Sequence, residues 1–148
     1  MLRAATEDTR TFERTPARIF AALSDLEAYG LWWPREIRFR VVQLSRTLVG
    51  AKLEVFVGRH SFYAEVVEAE RDRSIRWGYR SRTSRGHGLW SIQPEDGLTR
   101  LTYFSDLPVH PSVVSEHFLN RGEFLAVHGD LIRRMFDGLG RRLAETTE

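Results

Sequence analysis

The stretch from Asn120 to Glu145 constrains the fold more than any other part of the chain. Phe124, Leu125, His128, Leu131, Ile132, Met135, Leu139 and Leu143 recur at steps of one, three or four, which puts them on one face of an α-helix. Asp130, Arg133, Arg134, Asp137, Arg141 and Glu145 fall on the opposite, water-facing side. Asn120 is a suitable N-cap, with Glu123 three residues later and Leu119 and Phe124 at hydrophobic-staple spacing. A helix from Arg121 to Glu145 would run roughly 37 Å, enough to cross a small domain. Gly122, Gly129, Gly138 and Gly140 each weaken it by about 1 kcal/mol relative to alanine. Such a helix needs tertiary support along its length.

Upstream, the apolar period changes to two. Thr9 to Arg14 is a short candidate strand, and Thr15-Pro16 then supplies an N-cap and a first-turn proline. Ile19, Phe20 and Leu23 stripe one short helix, and a second covers Leu26 to Leu31. Trp32-Trp33-Pro34 follows, an apolar mass suited to plugging a core, lining a cavity mouth or making a dimer contact. From Glu36 onward, six strands alternate apolar and polar residues between tight turns, and Leu98 to Leu107 is the last of them. Pro108 and Pro111 end the series, and Ser112 to Leu119 reads as a lead-in helix. The fold class is therefore α+β: a curved antiparallel β-sheet wrapped around the long C-terminal α-helix, with two short helices after the first strand. The whole chain, 1–148, forms one domain.

Strand parity nominates the inner face. Arg76 and Arg80 must meet water, so Trp77 and Tyr79 point inward. Gly88, Trp90 and Ile92 point inward with His87 outward, and Leu101, Tyr103 and Ser105 point inward with Arg100 outward. On Ser61 to Glu70, turning Phe62, Ala64 and Val66 inward drags Glu68 and Glu70 with them. Turning Tyr63 and Val67 inward drags only Glu65, so Glu65 is expected inside or at a cavity mouth. The expected ligand-binding set is Trp33, Phe39, Val55, Tyr63, Trp77, Tyr79, Trp90, Leu101, Tyr103, Phe124 and Met135. Glu65 and His128 are the candidate catalytic acid–base pair, provided that they share one cavity.

Other chemistry is set aside. The absence of cysteine removes disulfides, thiolate metal sites and a cysteine nucleophile. His117 and His128 lie about 16 Å apart on a continuous helix, and no HExxH pattern occurs, so no metal or other cofactor is expected. No G-x-S-x-G elbow places a serine nucleophile. The formal charge of +2 does not suggest a nucleic-acid binder. In the arginine-rich run from Arg71 to Arg85, the aromatics and arginines fall on opposite sides of the strand. The start, MLRAATED, lacks an apolar signal core, and no run reaches membrane-spanning length. A cytoplasmic monomer or homodimer is the expectation, with no membrane partner.

The segment T-P-A-R-I-F-A-A-L-S-D-L-E-A-Y-G-L-W-W-P at 15–34 resembles the START-like, polyketide cyclase/dehydrase and lipid-transport (SRPBCC) superfamily. The segment A-E-V-V-E-A-E-R-D-R-S-I-R-W at 64–77, the turn and strand from Pro94 to Tyr103 and the terminal helix extend the resemblance over nearly the whole chain. It implies the helix-grip fold and a cavity between sheet and long helix that takes a small hydrophobic, aromatic or lipid-like ligand. The superfamily has no universal catalytic motif and includes carriers, cyclases, dehydratases and chaperone-associated domains. Binding of a hydrophobic ligand is the expected function, with a cofactor-independent cyclase or dehydratase as the alternative.

Overall fold

The computed structural model describes residues 2–58, 60–82, 85–109 and 121–145. Strand β1 (Leu2–Phe12) is followed by helix α1 (Pro16–Ser24) and a 3-10 helix (Leu26–Leu31). Strands β2 (Ile37–Gln43), β3 (Lys52–Val57), β4 (His60–Glu70), β5 (Ser74–Arg80), β6 (Arg85–Glu95) and β7 (Leu98–Val109) come next, and helix α2 (Arg121–Glu145) ends the series. The expected lead-in helix at 112–119 and the Asn120 cap lie outside the described residues.

The seven strands form one antiparallel sheet in the order β1-β7-β6-β5-β4-β3-β2. Consecutive strands pair as hairpins from β2 to β7, and β1 returns to the free edge of β7. The turns follow local chemistry. Asp96 and Gly97, with φ of 48° and 81°, make the two-residue link between β6 and β7, where both central residues need positive φ. Helix α1 starts as its sequence requires, with the Thr15 side chain accepting from the Arg18 amide at 3.2 Å and Pro16 opening the first turn. Strand β1 begins well before Thr9, so its inner row includes Thr6 and Asp8 as well as Arg10 and Phe12.

One expected parity is overturned. On β4 it is Phe62, Ala64 and Val66 that face the core, while Tyr63, Glu65 and Val67 face water. The cause is a β-bulge: Val66 pairs with Trp77 and Glu68 with Arg76, so Val67 is an extra residue opposite no partner. The bulge flips the alternation, and Glu68 and Glu70 remain outside without forcing Ala64 and Val66 out. Strict alternation made the apolar row look as though it carried two buried carboxylates, and one inserted residue removes that cost.

The core sits between the concave face and α2. Leu53, Val66, Ile75 and Leu101 from the sheet, Ile19 and Leu23 from α1, and Ile132, Phe136, Leu139 and Leu143 from α2 are all buried. Beside them the 3-10 helix and Trp32-Trp33 form an aromatic plug. Tyr29 stacks on Trp33 with ring centroids 4.7 Å apart and meets Trp32 edge-on at 5.3 Å, and Trp33 meets Phe39 at 5.5 Å. The Tyr29 hydroxyl donates to the Leu23 carbonyl, and burial raises its pKa, so it stays protonated.

Helix α2 is fixed at its C-terminal half from two sides. A Cβ on Gly138 would lie 1.9 Å from the Trp32 carbonyl oxygen, so helix and plug meet backbone to backbone. On the other side, a Cβ on Gly140 would sit at ordinary contact, 3.5 Å from the Phe12 ring. Arg14 and Arg18 donate to the Leu143 carbonyl at 3.3 and 3.5 Å, placing cations at the negative end of the helix. Arg10 pairs with Asp137 and lies over the Phe136 ring, while Arg134 bonds Glu36 and Asp130. Gly138→Ala should therefore destabilise the protein by about 3 kcal/mol in urea unfolding, because overpacking exceeds the gain in helix propensity of about 1 kcal/mol. A neutral or stabilising result would show that the helix does not press on Trp32.

Candidate ligand-binding site

Side chains on the concave face form transverse rungs, because directly paired residues of antiparallel strands share a side. One rung runs Asp8–Tyr103–Trp90–Ile75 through β1, β7, β6 and β5, and the next runs Thr6–Ser105–Gly88–Trp77. The Trp90 and Tyr103 rings lie 4.5 Å apart, and Trp90 meets Phe136 of α2 edge-on at 5.8 Å. Thr6 and Ser105 satisfy each other through a 2.8 Å hydroxyl contact.

Tyr79 starts on the rung beyond Trp77, yet its hydroxyl reaches that of Tyr103 at 2.6 Å. Gly88 makes this reach possible: a Cβ there would fall 2.5 Å from the Tyr79 oxygen and 2.9 Å from the Tyr103 oxygen. Burial pushes both phenols up, Tyr103 to about 12 and Tyr79 well above its ordinary value, and neighbouring Tyr103 raises Tyr79 further. Both are therefore neutral at ordinary pH. The pair holds two hydroxyl protons and shares one hydrogen bond, so whichever oxygen donates, one O–H remains. Among the described residues that O–H has no further partner, and it is free to donate to a bound molecule.

The expected site residues divide into three groups. Phe39, Val55, Trp77, Tyr79, Trp90, Leu101 and Tyr103 lie on the concave side of the sheet, and Met135 faces them from α2. Trp33 is packed into the aromatic plug. The side chain of Phe124 lies outside the described residues. Tyr63 and Glu65 are on the convex face: Tyr63 is 36% exposed beneath the Lys52 ammonium, which stands 4.8 Å from its ring centroid, and Glu65 is exposed. The expected pairing of Glu65 with His128 is thus wrong in geometry, because the sheet separates them.

The carboxylate that shares a side with His128 is Asp8. It sits half-buried on the inner row of β1, directly paired with Tyr103, and its charge acts on both Tyr103 and His128. Asp8 was missed because the alternation before Thr9 is weak, with alanine, threonine and charged residues on both sides. Phe62, whose ring meets Tyr79 edge-on at 5.6 Å, was lost to the bulge. Phe136, four residues after Ile132 and three before Leu139, fits the helical period and belongs to the stripe, but Met135 stood in its place there.

The sequence profile of a family described as polyketide cyclase / dehydrase and lipid transport matches residues 3–147. The chain belongs to that family. Among solved structures, it resembles a START superfamily protein from Mycobacterium smegmatis with a TM-score of 0.75 at 18% identity, covering 97% of this chain and 99% of that one. It also resembles the Zhui aromatase/cyclase from a Streptomyces, with a TM-score of 0.76 at 12% identity, covering 97% and 94%. No curated protein matches the sequence. At these identities the likeness shows the START-like fold, and the family at large covers both hydrophobic-ligand binding and cyclase-type chemistry. Among the described residues no helix is long and apolar enough to cross a membrane, and no cluster of side chains could hold a metal ion.

His128 carries a testable electrostatic signature. Burial holds its pKa below the ordinary 6.5, and the Asp8 charge opposes this only in part. The unfolded chain therefore takes up the proton first as pH falls through 6.5, and the contribution of His128 to stability is lost below that point until the folded histidine also protonates. Urea unfolding of wild type and His128→Gln from about pH 8 to about pH 5 should show wild type losing more stability on acidification. Parallel pH profiles would contradict the burial of a neutral imidazole.

Proposed function

We propose that the protein holds a small hydrophobic, aromatic or lipid-like molecule between the concave face of the sheet and the N-terminal half of α2. The observation that carries this reading is a pair of glycines on one side of the helix. Gly129 and Gly140 are eleven residues apart, about three turns, and so face nearly the same direction. At Gly140 a Cβ would touch Phe12, whereas at Gly129 it would meet no atom of the described residues within 4 Å. We read this difference as the helix, which lies against β1 at Phe12, drawing away from it by the level of Gly129.

The walls suit such a ligand. Trp90, Trp77 and Met135 supply apolar surface, and the spare O–H of the Tyr79–Tyr103 pair supplies one oriented donor for a carbonyl or hydroxyl oxygen. A donor that is neutral and nearly dry is worth more to a ligand than one in water, because its alternative is to remain unsatisfied. Ionisable groups on this face are few, which favours retention of a molecule over acid–base turnover.

Filling the space should abolish binding without harming the fold. Gly129→Leu gains helix propensity of roughly 0.8 kcal/mol and occupies the gap. With hydrophobic aromatic compounds read by native mass spectrometry, wild type should retain ligand and Gly129→Leu should lose at least about tenfold in affinity. Equal retention by the two proteins, or none by wild type, would overturn the reading.

A further inference from the structure

The inner face carries a charge that no side chain among the described residues pairs with. Asp8 points to the concave side, and among the described residues no hydrogen bond or ion pair holds its carboxylate. The nearest cation along the strand, Arg10, is committed elsewhere: its guanidinium pairs with Asp137 and lies 5.4 Å from the centroid of the Phe136 ring. His128 is near enough to feel the Asp8 charge, but burial disfavours the imidazolium that would neutralise it. The side chains flanking Asp8 on its rung are aromatic, Tyr103 and then Trp90. An acidic side chain beside aromatic faces is chemistry that recognises a cation.

We infer that the ligand is an aromatic or lipid-like amine, its ammonium set against the Asp8 carboxylate and the Tyr103 and Trp90 rings. This rests on the binding reading above and narrows it. The ammonium donates to Asp8 in a charge-assisted hydrogen bond, the apolar body lies over Trp90 and Trp77, and an oxygen on the same molecule can take the free tyrosine O–H. The carboxylate also disfavours an anionic ligand at the same place. Fatty acids and aromatic acids are thereby selected against, although the apolar walls alone would accept them.

Matched compounds separate this inference from the reading it depends on. Arylethylamines, the corresponding arylethanols and the arylacetates, each in a series from phenyl to anthryl, share a skeleton and differ in charge. Titrated into the full chain at neutral pH, the amine should bind about tenfold or more tighter than the alcohol of the same size, with the acetate weakest. Asp8→Asn should bring the amine down to the alcohol while leaving the affinity for the alcohol within about twofold. If amine and alcohol bind wild type equally, the hollow stands and the amine preference falls. An undiminished preference in Asp8→Asn likewise overturns the role of Asp8. If no member of any series binds, the ligand-binding reading fails and the amine preference fails with it.

Discussion

The backbone contact between Gly138 and the Trp32 carbonyl sets the geometry of everything around it. No side chain larger than hydrogen fits there, so α2 must lie against the aromatic plug at that level. Phe12 receives the other side of the helix at Gly140, and two arginines close its end at Leu143. A rigid rod fixed at one end over a curved sheet cannot stay in contact with it along its whole length. At Gly129, three turns from the point where Phe12 touches the helix, a Cβ would meet no atom of the described residues within 4 Å. Glycines that look like weaknesses in the helical pattern thus differ in surroundings: Gly138 permits a backbone contact, and Gly129 meets none of the described residues.

Much of the architecture was legible in the sequence because it depends on periodicity. The stripe from Ile132 to Leu143, the alternation around Trp77, Trp90 and Leu101, and the Thr15-Pro16 start all correspond to elements in the structure. The failures occur where periodicity is interrupted or faint. The bulged Val67 shifts the parity of β4 by one residue, and alternation has no means of announcing an insertion. Strand β1 extends over a stretch whose inner row is Thr6, Asp8 and Arg10, which no hydrophobicity pattern would mark as facing a core. The candidate site inherits both effects: Glu65 and Tyr63 move outside, and Asp8 comes in.

The electrostatics of the inner face follow from how little of it is charged. Its phenols stay protonated because burial resists ionisation, and its histidine stays neutral for the same reason. Two tyrosines from different strands meet only because Gly88 between them has no side chain. Among the described residues that face is therefore built mostly of apolar groups and neutral donors, with the Asp8 carboxylate at its β1 edge.

The most direct test is diffraction from crystals of the protein pressurised with xenon, which enters apolar spaces large enough to hold it. The anomalous difference map should show xenon between α2 at Gly129 and the Tyr103–Trp90 rung of the sheet, and none between Gly138 and Trp32. Continuous side-chain packing beneath Gly129, with no xenon bound there, would contradict the hollow and the ligand-binding function built on it.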